Sequence, residues 1–382
     1  MNIDELHHTE AIRRREFPVC EKKIFLAHAG VSPLPRCAAE AMQRYAEVAA
    51  HDNQEDVLPE GFVGETRQLA AQLIGASREE IAFVGSTSMG LAMVAAGLEW
   101  KAGDNVVCYR DDYPANVHPW MNLAQRSVEV RFVEPRVYGN VTTADLDPLL
   151  DARTRLVSLA SAHFVSGWRL DVDAVGRFVH ERGALFCLDG IQTFGALETR
   201  MTHVDFAAAD AHKWLLGPLG VAILYVRREH FDRLHPVLVG AHTALAPDFL
   251  VQDTMKFWPD ARRYEPGSLN MMGVVGLHAA LRMINEFGIA GIERWVLMLA
   301  ELAVREGQRS GLKVVGPVSS AGMSGIVSFE SGTHDLAPLH ARLARTGIIT
   351  SLRRRRDGAH CLRLSPHFYN LEDDVTVPLQ TL

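Results

Sequence analysis

The segment DFAAADAHKWLLGPLGVAILYVR (residues 205–227) reads as a short apolar strand, a turn carrying Gly and Pro, and a second apolar strand, with Lys213 just past the end of the first. Strands that are apolar on both faces belong to a mostly parallel sheet covered by helices, because a sheet with one face in water would alternate. In such sheets ligands bind beyond the carboxyl ends of the strands. Two readings of Lys213 are open on these residues: an exposed surface lysine, or an amine in a dry pocket that loses its proton and attacks carbonyl groups.

Upstream the same pattern recurs. EIAFVG (80–85), NVVCY (105–109), VEVRFVE (128–134), RLVSLASAH (155–163) and ALFCLDG (184–190) are strand-like. MGLAMVAAGLEW (89–100), HPWMNLAQRS (118–127) and DVDAVGRFVHERG (171–183) between them are helical. Repeated βα units predict a large α/β domain. Residues 240–268 break the pattern with Pro and Gly and read as a long loop or linker. One long helical stretch over 274–310 and then short strands with one helix predict a smaller α+β unit. The expected division is 1–21 as an N-terminal segment packing with the small domain, 22–254 as the large domain and 255–382 as the small one.

A chain of 382 residues is long enough for two cores. Its net charge of −7 gives no domain-wide positive field, which argues against nucleic acid as a partner. Arg353-Arg354-Arg355-Arg356 is the exception, either a solvated face or a site near an anionic substrate. The cysteines Cys20, Cys37, Cys108, Cys187 and Cys361 are dispersed, without the spacing of a disulfide framework. No apolar stretch at the N-terminus resembles a signal peptide, and no run approaches the roughly 20 residues of a membrane span. The expectation is a cytoplasmic protein with no membrane partner and no metal.

Four further constellations accompany Lys213. Asp189 closes the apolar strand ALFCLDG; a buried carboxylate there needs a cationic partner. A protonated pyridine nitrogen would serve, and its charge would make that ring an electron sink. Gln192 follows by one turn. The alternative is an aspartate capping the next helix. Gly85-Ser86-Thr87-Ser88-Met89-Gly90 joins a strand to a helix, as a phosphate site at a helix N-terminus or as an ordinary cap. It matches neither GxGxxG nor a Walker A sequence. Asp112-Tyr113-Pro114-Ala115-Asn116 offers Tyr113 to stack on a flat ring and Asn116 to bond cofactor or substrate oxygen, or else is simply a turn. Arg363 lies within CLRLSPHFYN; an arginine there binds a substrate carboxylate or forms a structural ion pair.

In order and spacing these pieces, together with IFLAHAGVSPLPR (24–36) and RRYEPGSLN (262–270), resemble the class V aminotransferase family of fold-type-I enzymes dependent on pyridoxal 5'-phosphate (PLP). The likeness runs from about residue 22 to 372 and is greatest to the cysteine desulfurase and isopenicillin N epimerase branch. It implies a large domain with a mostly parallel, seven-stranded type of sheet and a smaller C-terminal domain. It implies that Lys213 carries PLP covalently and shuttles the α-proton of an amino-acid substrate. By the same resemblance Asp189 pairs with the ring nitrogen and Gln192 contacts the ring's phenolic oxygen. Thr87, Ser88 and His212 would hold the phosphate, and Tyr113 would stack on the ring. Arg363 would grip the α-carboxylate, with Asn116 and His28 beside the substrate. Ser268 would reach the phosphate of a neighbouring subunit, in a homodimer with shared active sites.

The chain departs from that family in four places. Sulfur-mobilising relatives carry a nucleophilic Cys on a loop about fifteen residues before the carboxylate arginine; here the stretch RTGIITSLRRRRDGAH has none. Ala27 stands where relatives often have a polar residue, and Phe164 where several place Asn. Asp210 stands where many have Ser or Asn near the phosphate, although a carboxylate beside a phosphate is costly. The expected reaction is therefore of class V aminotransferase type, with transamination first. β-Elimination (C–S lyase) comes second and epimerisation third. A catalytically silent PLP-binding protein is the non-enzyme alternative, and a nucleotide-binding α/β protein without PLP a further one.

Overall fold

Every residue of the segments Leu185–Asp189, Phe206–Asp210 and Ala222–Val226 is buried. These segments are the centre of a sheet covered on both sides. The computed structural model describes residues 3–247, 250–332 and 335–380. Its strands in chain order are β1 (Ile24–Phe25), β2 (Ile81–Val84), β3 (Asn105–Tyr109), β4 (Glu129–Val133), β5 (Thr154–Ala160), β6 (Leu185–Asp189), β7 (Phe206–Asp210), β8 (Ala222–Val226), β9 (Lys313–Val314), β10 (Val327–Glu330), β11 (Ile348–Ile349), β12 (Ser351–Arg354) and β13 (His360–Leu364). The helices are α1 (Ile3–His8), α2 (Glu10–Glu16), α3 (Arg36–Ala49), α4 (Phe62–Ile74), α5 (Thr87–Gly97), α6 (His118–Asn122), α7 (Thr143–Leu146), α8 (Val172–Glu181), α9 (Met271–Phe287), α10 (Ile289–Arg309), α11 (Leu336–Arg345) and α12 (Glu372–Gln380).

The main sheet has the order β2-β8-β7-β6-β5-β3-β4. It is parallel except for β8, which runs antiparallel to both β2 and β7. Alternate side chains feed two cores: Val107, Val157 and Phe186 pack on one face, Val106, Leu156 and Cys187 on the other. Helix α5 approaches β7 so closely that a Cβ on Gly90 would lie 2.8 Å from the Cβ of Ala208. The alanines of FAAAD and a glycine on the facing helix are what make that approach sterically possible.

The C-terminal sheet has the order β12-β13-β10-β9 and is antiparallel, with a core of its own that includes Val327, Phe329, Leu343 and Leu362. The helical stretch read as continuous is two helices, α9 and α10, broken at Gly288 with φ of +79°. A left-handed residue ends one helix and reorients the next. In the N-terminal segment, Phe17 stacks on Tyr369 at 4.2 Å and Arg13 pairs with Asp374 at 3.1 Å. No described helix is long and apolar enough to cross a membrane.

The loop before α9 is tied to the sheet by a buried ion pair. Glu265 meets the Arg67 guanidinium at 2.5 Å and accepts the Phe83 N–H at 2.7 Å, while Arg67 Nε donates to Ile81 O. Glu265→Ala strands a buried guanidinium and a strand N–H at once. Breaking such a pair costs about 3–5 kcal/mol, so the variant is expected to unfold at clearly lower urea concentration. An unchanged midpoint would show that the pair contributes nothing.

Candidate active site

Four carboxyl ends of parallel strands, those of β3, β5, β6 and β7, open on one side of the sheet. Asp189 ends β6 and lies in register with Ala208 of β7 and Ala160 of β5. Its carboxylate is buried, and among the described residues its hydrogen bond is from Ile191 N–H at 3.1 Å. Burial, then the nearby Asp112 carboxylate, raises its pKa to about 7, against the pull of Lys213. This is the buried carboxylate lacking a bonded cation that the strand pattern predicts.

Lys213 follows β7 in a turn whose Leu216 has φ of +54°. A buried leucine in the left-handed region is strained, and the turn is held by Leu216 N–H to Lys213 O and Gly217 N–H to Ala211 O. The amine is buried and lies 5.2 Å from the centre of the Tyr113 ring. Desolvation lowers its pKa to about 8, opposed by Asp189 and assisted by Arg363. Lysine and aspartate thus reach one crevice from neighbouring strands, with their pKa values drawn toward each other.

Gln192 is buried below them. Its Oε1 accepts Trp214 Nε1–H at 2.9 Å and its Nε2 donates to Ala29 O at 3.3 Å, leaving one amide hydrogen. Tyr113 is 45% exposed, its ring edge-on to Phe164 at 5.6 Å, so one face remains available.

At the α5 N-terminus, Ser86 is the cap and accepts Met89 N–H. Ser88 is exposed in the first turn. Asp210 resolves its own anomaly: its carboxylate accepts Thr87 N–H at 2.8 Å, while Asp210 N–H donates to the Thr87 hydroxyl at 2.8 Å. The carboxylate therefore does a cap's work from the adjacent strand. Its other oxygen lies 3.4 Å from His212 Nδ1, a contact without hydrogen-bond geometry, and that nitrogen is buried without a hydrogen bond among the described residues.

Arg363, on β13, is fully buried. Its Nη1 donates to Phe164 O at 2.5 Å, whereas Nε and Nη2 have no partner among the described residues. Burial, then the neighbouring Arg353, pushes its pKa well down. A buried cation with two unpaired donors is expensive unless an anion arrives.

Two expected substrate contacts are drawn elsewhere. His28 has both ring nitrogens engaged, with Ser365 O at 2.8 Å and the Tyr369 hydroxyl at 2.7 Å, and so fixes the first segment to the last. Asn116 bonds Asp112, Trp120 and Ser158. It supports Asp112, which sequence reasoning passed over. That carboxylate also accepts Tyr113 N–H and Ala160 N–H, and burial lifts its pKa to about 6. Ser268 is exposed in the loop ahead of α9. Cys361 is buried on β13, its thiol pushed up to about 11 by burial.

Residues 24–377 match the family model for aminotransferase class V. A probable cysteine desulfurase of Methanothermobacter thermautotrophicus is 30% identical over 396 residues, covering 97% of this chain and 96% of that protein. One of Pyrococcus abyssi is 28% identical over 392 residues, with the same coverage. An apo cysteine desulfurase structure from Thermococcus onnurineus matches with a TM-score of 0.88 at 26% identity, covering 96% of each chain. A cystine C–S lyase, C-DES, in complex with its product cysteine persulfide matches at 0.85 and 21% identity over 96% of this chain and 98% of that one, a likeness of fold alone.

Proposed function

This chain belongs to the class V aminotransferase family and is a PLP-dependent enzyme, and we propose that it transforms an amino acid by removing its α-proton with Lys213 and without transferring sulfur to a protein thiol. The observation that carries the reading is Arg363: a fully buried guanidinium with Nε and Nη2 unpaired, close enough to Lys213 to depress its pKa. An α-carboxylate would complete it with two parallel hydrogen bonds.

The residues fit the cofactor. Asp189, buried without a bonded cation, suits a protonated ring nitrogen. The unpaired His212 Nδ1, the Thr87 hydroxyl and Ser88 suit a phosphate at the α5 N-terminus. Tyr113 offers a ring face, and Gln192 a spare N–H. When bound, PLP supplies an electron sink for the charge left when a proton leaves the α-carbon.

The chain's own residues supply the rest. Arg363 orients the substrate so that its α-hydrogen faces the Lys213 amine. Desolvation lowers the pKa of that amine to about 8, so a fraction of it is unprotonated and able to take a proton near neutral pH. We further propose a homodimer, in which the exposed Leu238, Val239 and Val251 are covered and Ser268 reaches a neighbouring site.

Of the described cysteines, Cys108, Cys187 and Cys361 are buried, and burial raises the thiol pKa values of Cys20 and Cys37. The stretch RTGIITSLRRRRDGAH (345–360), which spans the position about fifteen residues before Arg363 where a sulfur acceptor would sit, contains none. Either transamination or β-elimination is open to these residues, and transamination is the reading we carry forward. The expected result is that purified holoenzyme yields a keto acid only in step with an added amino acceptor. Pyruvate and ammonia formed without an acceptor would assign β-elimination instead. A visible spectrum that no amino acid changes would end both.

A further inference from the structure

The run Arg353–Arg356 separates into different environments. Arg355 pairs with Glu330 at 3.0 Å and Asp357 at 2.8 Å and lies over the Tyr138 ring; Arg356 pairs with Asp111. Arg354 is exposed. Arg353 has no carboxylate partner among the described residues and is half-buried with Nε unsatisfied.

Strand pairing aims it at the site. In the β12–β13 ladder Ser351 faces Arg363 and Arg353 faces Cys361. Cys361 and Arg363 are two apart and share a face, so Arg353 and Arg363 are diagonal neighbours on that face. Their tips converge on Gly30: a methyl group there would sit 3.5 Å from Arg353 Nη2 and 3.8 Å from Arg363 Nη2. Two like charges brought together without a counter-anion repel and lose solvation, and both pKa values are lowered by burial first. A single carboxylate on Arg363 leaves the second guanidinium unpaired.

We propose that the site takes a short acidic amino acid, its α-carboxylate on Arg363 and its side-chain anion on Arg353. This rests on the reading above that Arg363 holds the α-carboxylate. Because both Nη2 atoms border one glycine-sized opening, the two anions are close together, as in aspartate and not in longer chains. Any side chain at position 30 would enter that opening.

The test is calorimetric titration of the holoenzyme with α-methylaspartate and with α-aminoisobutyrate. Neither has an α-hydrogen, so heat reports binding and not turnover. α-Methylaspartate is expected to bind roughly tenfold to a hundredfold more tightly, the value of one charge-assisted contact. Arg353→Gln should abolish that preference, so that the two ligands bind alike, and Arg353→Lys should keep most of it. Arg363→Gln should weaken both ligands. Equal affinities in the unaltered enzyme, or an Arg353→Gln variant that weakens both ligands equally, would overturn the proposal and place both arginines on one carboxylate. If neither ligand binds and no amino acid perturbs the visible spectrum, the amino-acid reading itself has failed, and this proposal with it.

Discussion

Lys213→Ala is expected to lower turnover by roughly four orders of magnitude, the upper end of what a positioned proton-transfer group supplies, and to end covalent retention of PLP. The amine is buried beside Asp189, Asp112, Tyr113 and Arg363, and the charged groups that perturb it after burial are carboxylates and arginines. Borohydride treatment should add cofactor mass to the unaltered chain and none to the variant. In the unaltered apoprotein the pH dependence of reloading has a definite sign. Attachment needs the amine lone pair. The amine is protonated below about 8 and free above it. Reloading should therefore quicken as pH rises, level off above about 8, and fall roughly tenfold per unit below that. A rate flat from pH 6 to 9 (a range of about three units) would show that Lys213 does not titrate there. Retained mass in the alanine variant would move the attachment elsewhere.

The parts of the site legible in sequence are those fixed by strand ends. Asp189 and Lys213 each follow a run of fully buried residues, and a polar residue that closes such a run has to emerge at the sheet's carboxyl edge. The α/β order was readable for the same reason, since strands apolar on both faces demand helices on both sides. What local pattern does not encode is which distant group a side chain meets. His28 is consumed by Ser365 and Tyr369, more than 330 residues away in the chain. Asp210 is neutral toward a phosphate reading only because Thr87, 123 positions earlier, donates to it. In the arginine run four identical letters carry four environments, and only the register of β12 on β13 distinguishes Arg353. Asp112 sits in a turn that Pro114 and Asn116 explain well enough alone, so its burial left no signal.

Asp189→Asn separates this site's chemistry from its stability, because the two are expected to move in opposite directions. Asparagine keeps the size and the acceptor for Ile191 N–H but cannot hold a positive ring nitrogen in a buried setting. Removing one partner of such a pair costs about 3–5 kcal/mol, which is a loss of two to three and a half orders of magnitude in turnover if it falls on the reacting state. PLP should remain attached, since Lys213 is untouched. In the apoprotein the same carboxylate is a liability. Its pKa stands near 7, raised by burial and by Asp112, with Asp210 adding in the same sense and Lys213 opposing. A carboxyl that binds its proton more tightly folded than unfolded stabilises the fold at low pH. That stabilisation is lost as pH rises from the ordinary carboxylate range toward about 7. The neutral amide removes this dependence, so apo Asp189→Asn should melt no lower than the unaltered apoprotein at pH 7, and its Tm should vary less between pH 5 and 7 (about two units). Activity lost together with apo stability would mean that Asp189 serves the fold and not the cofactor.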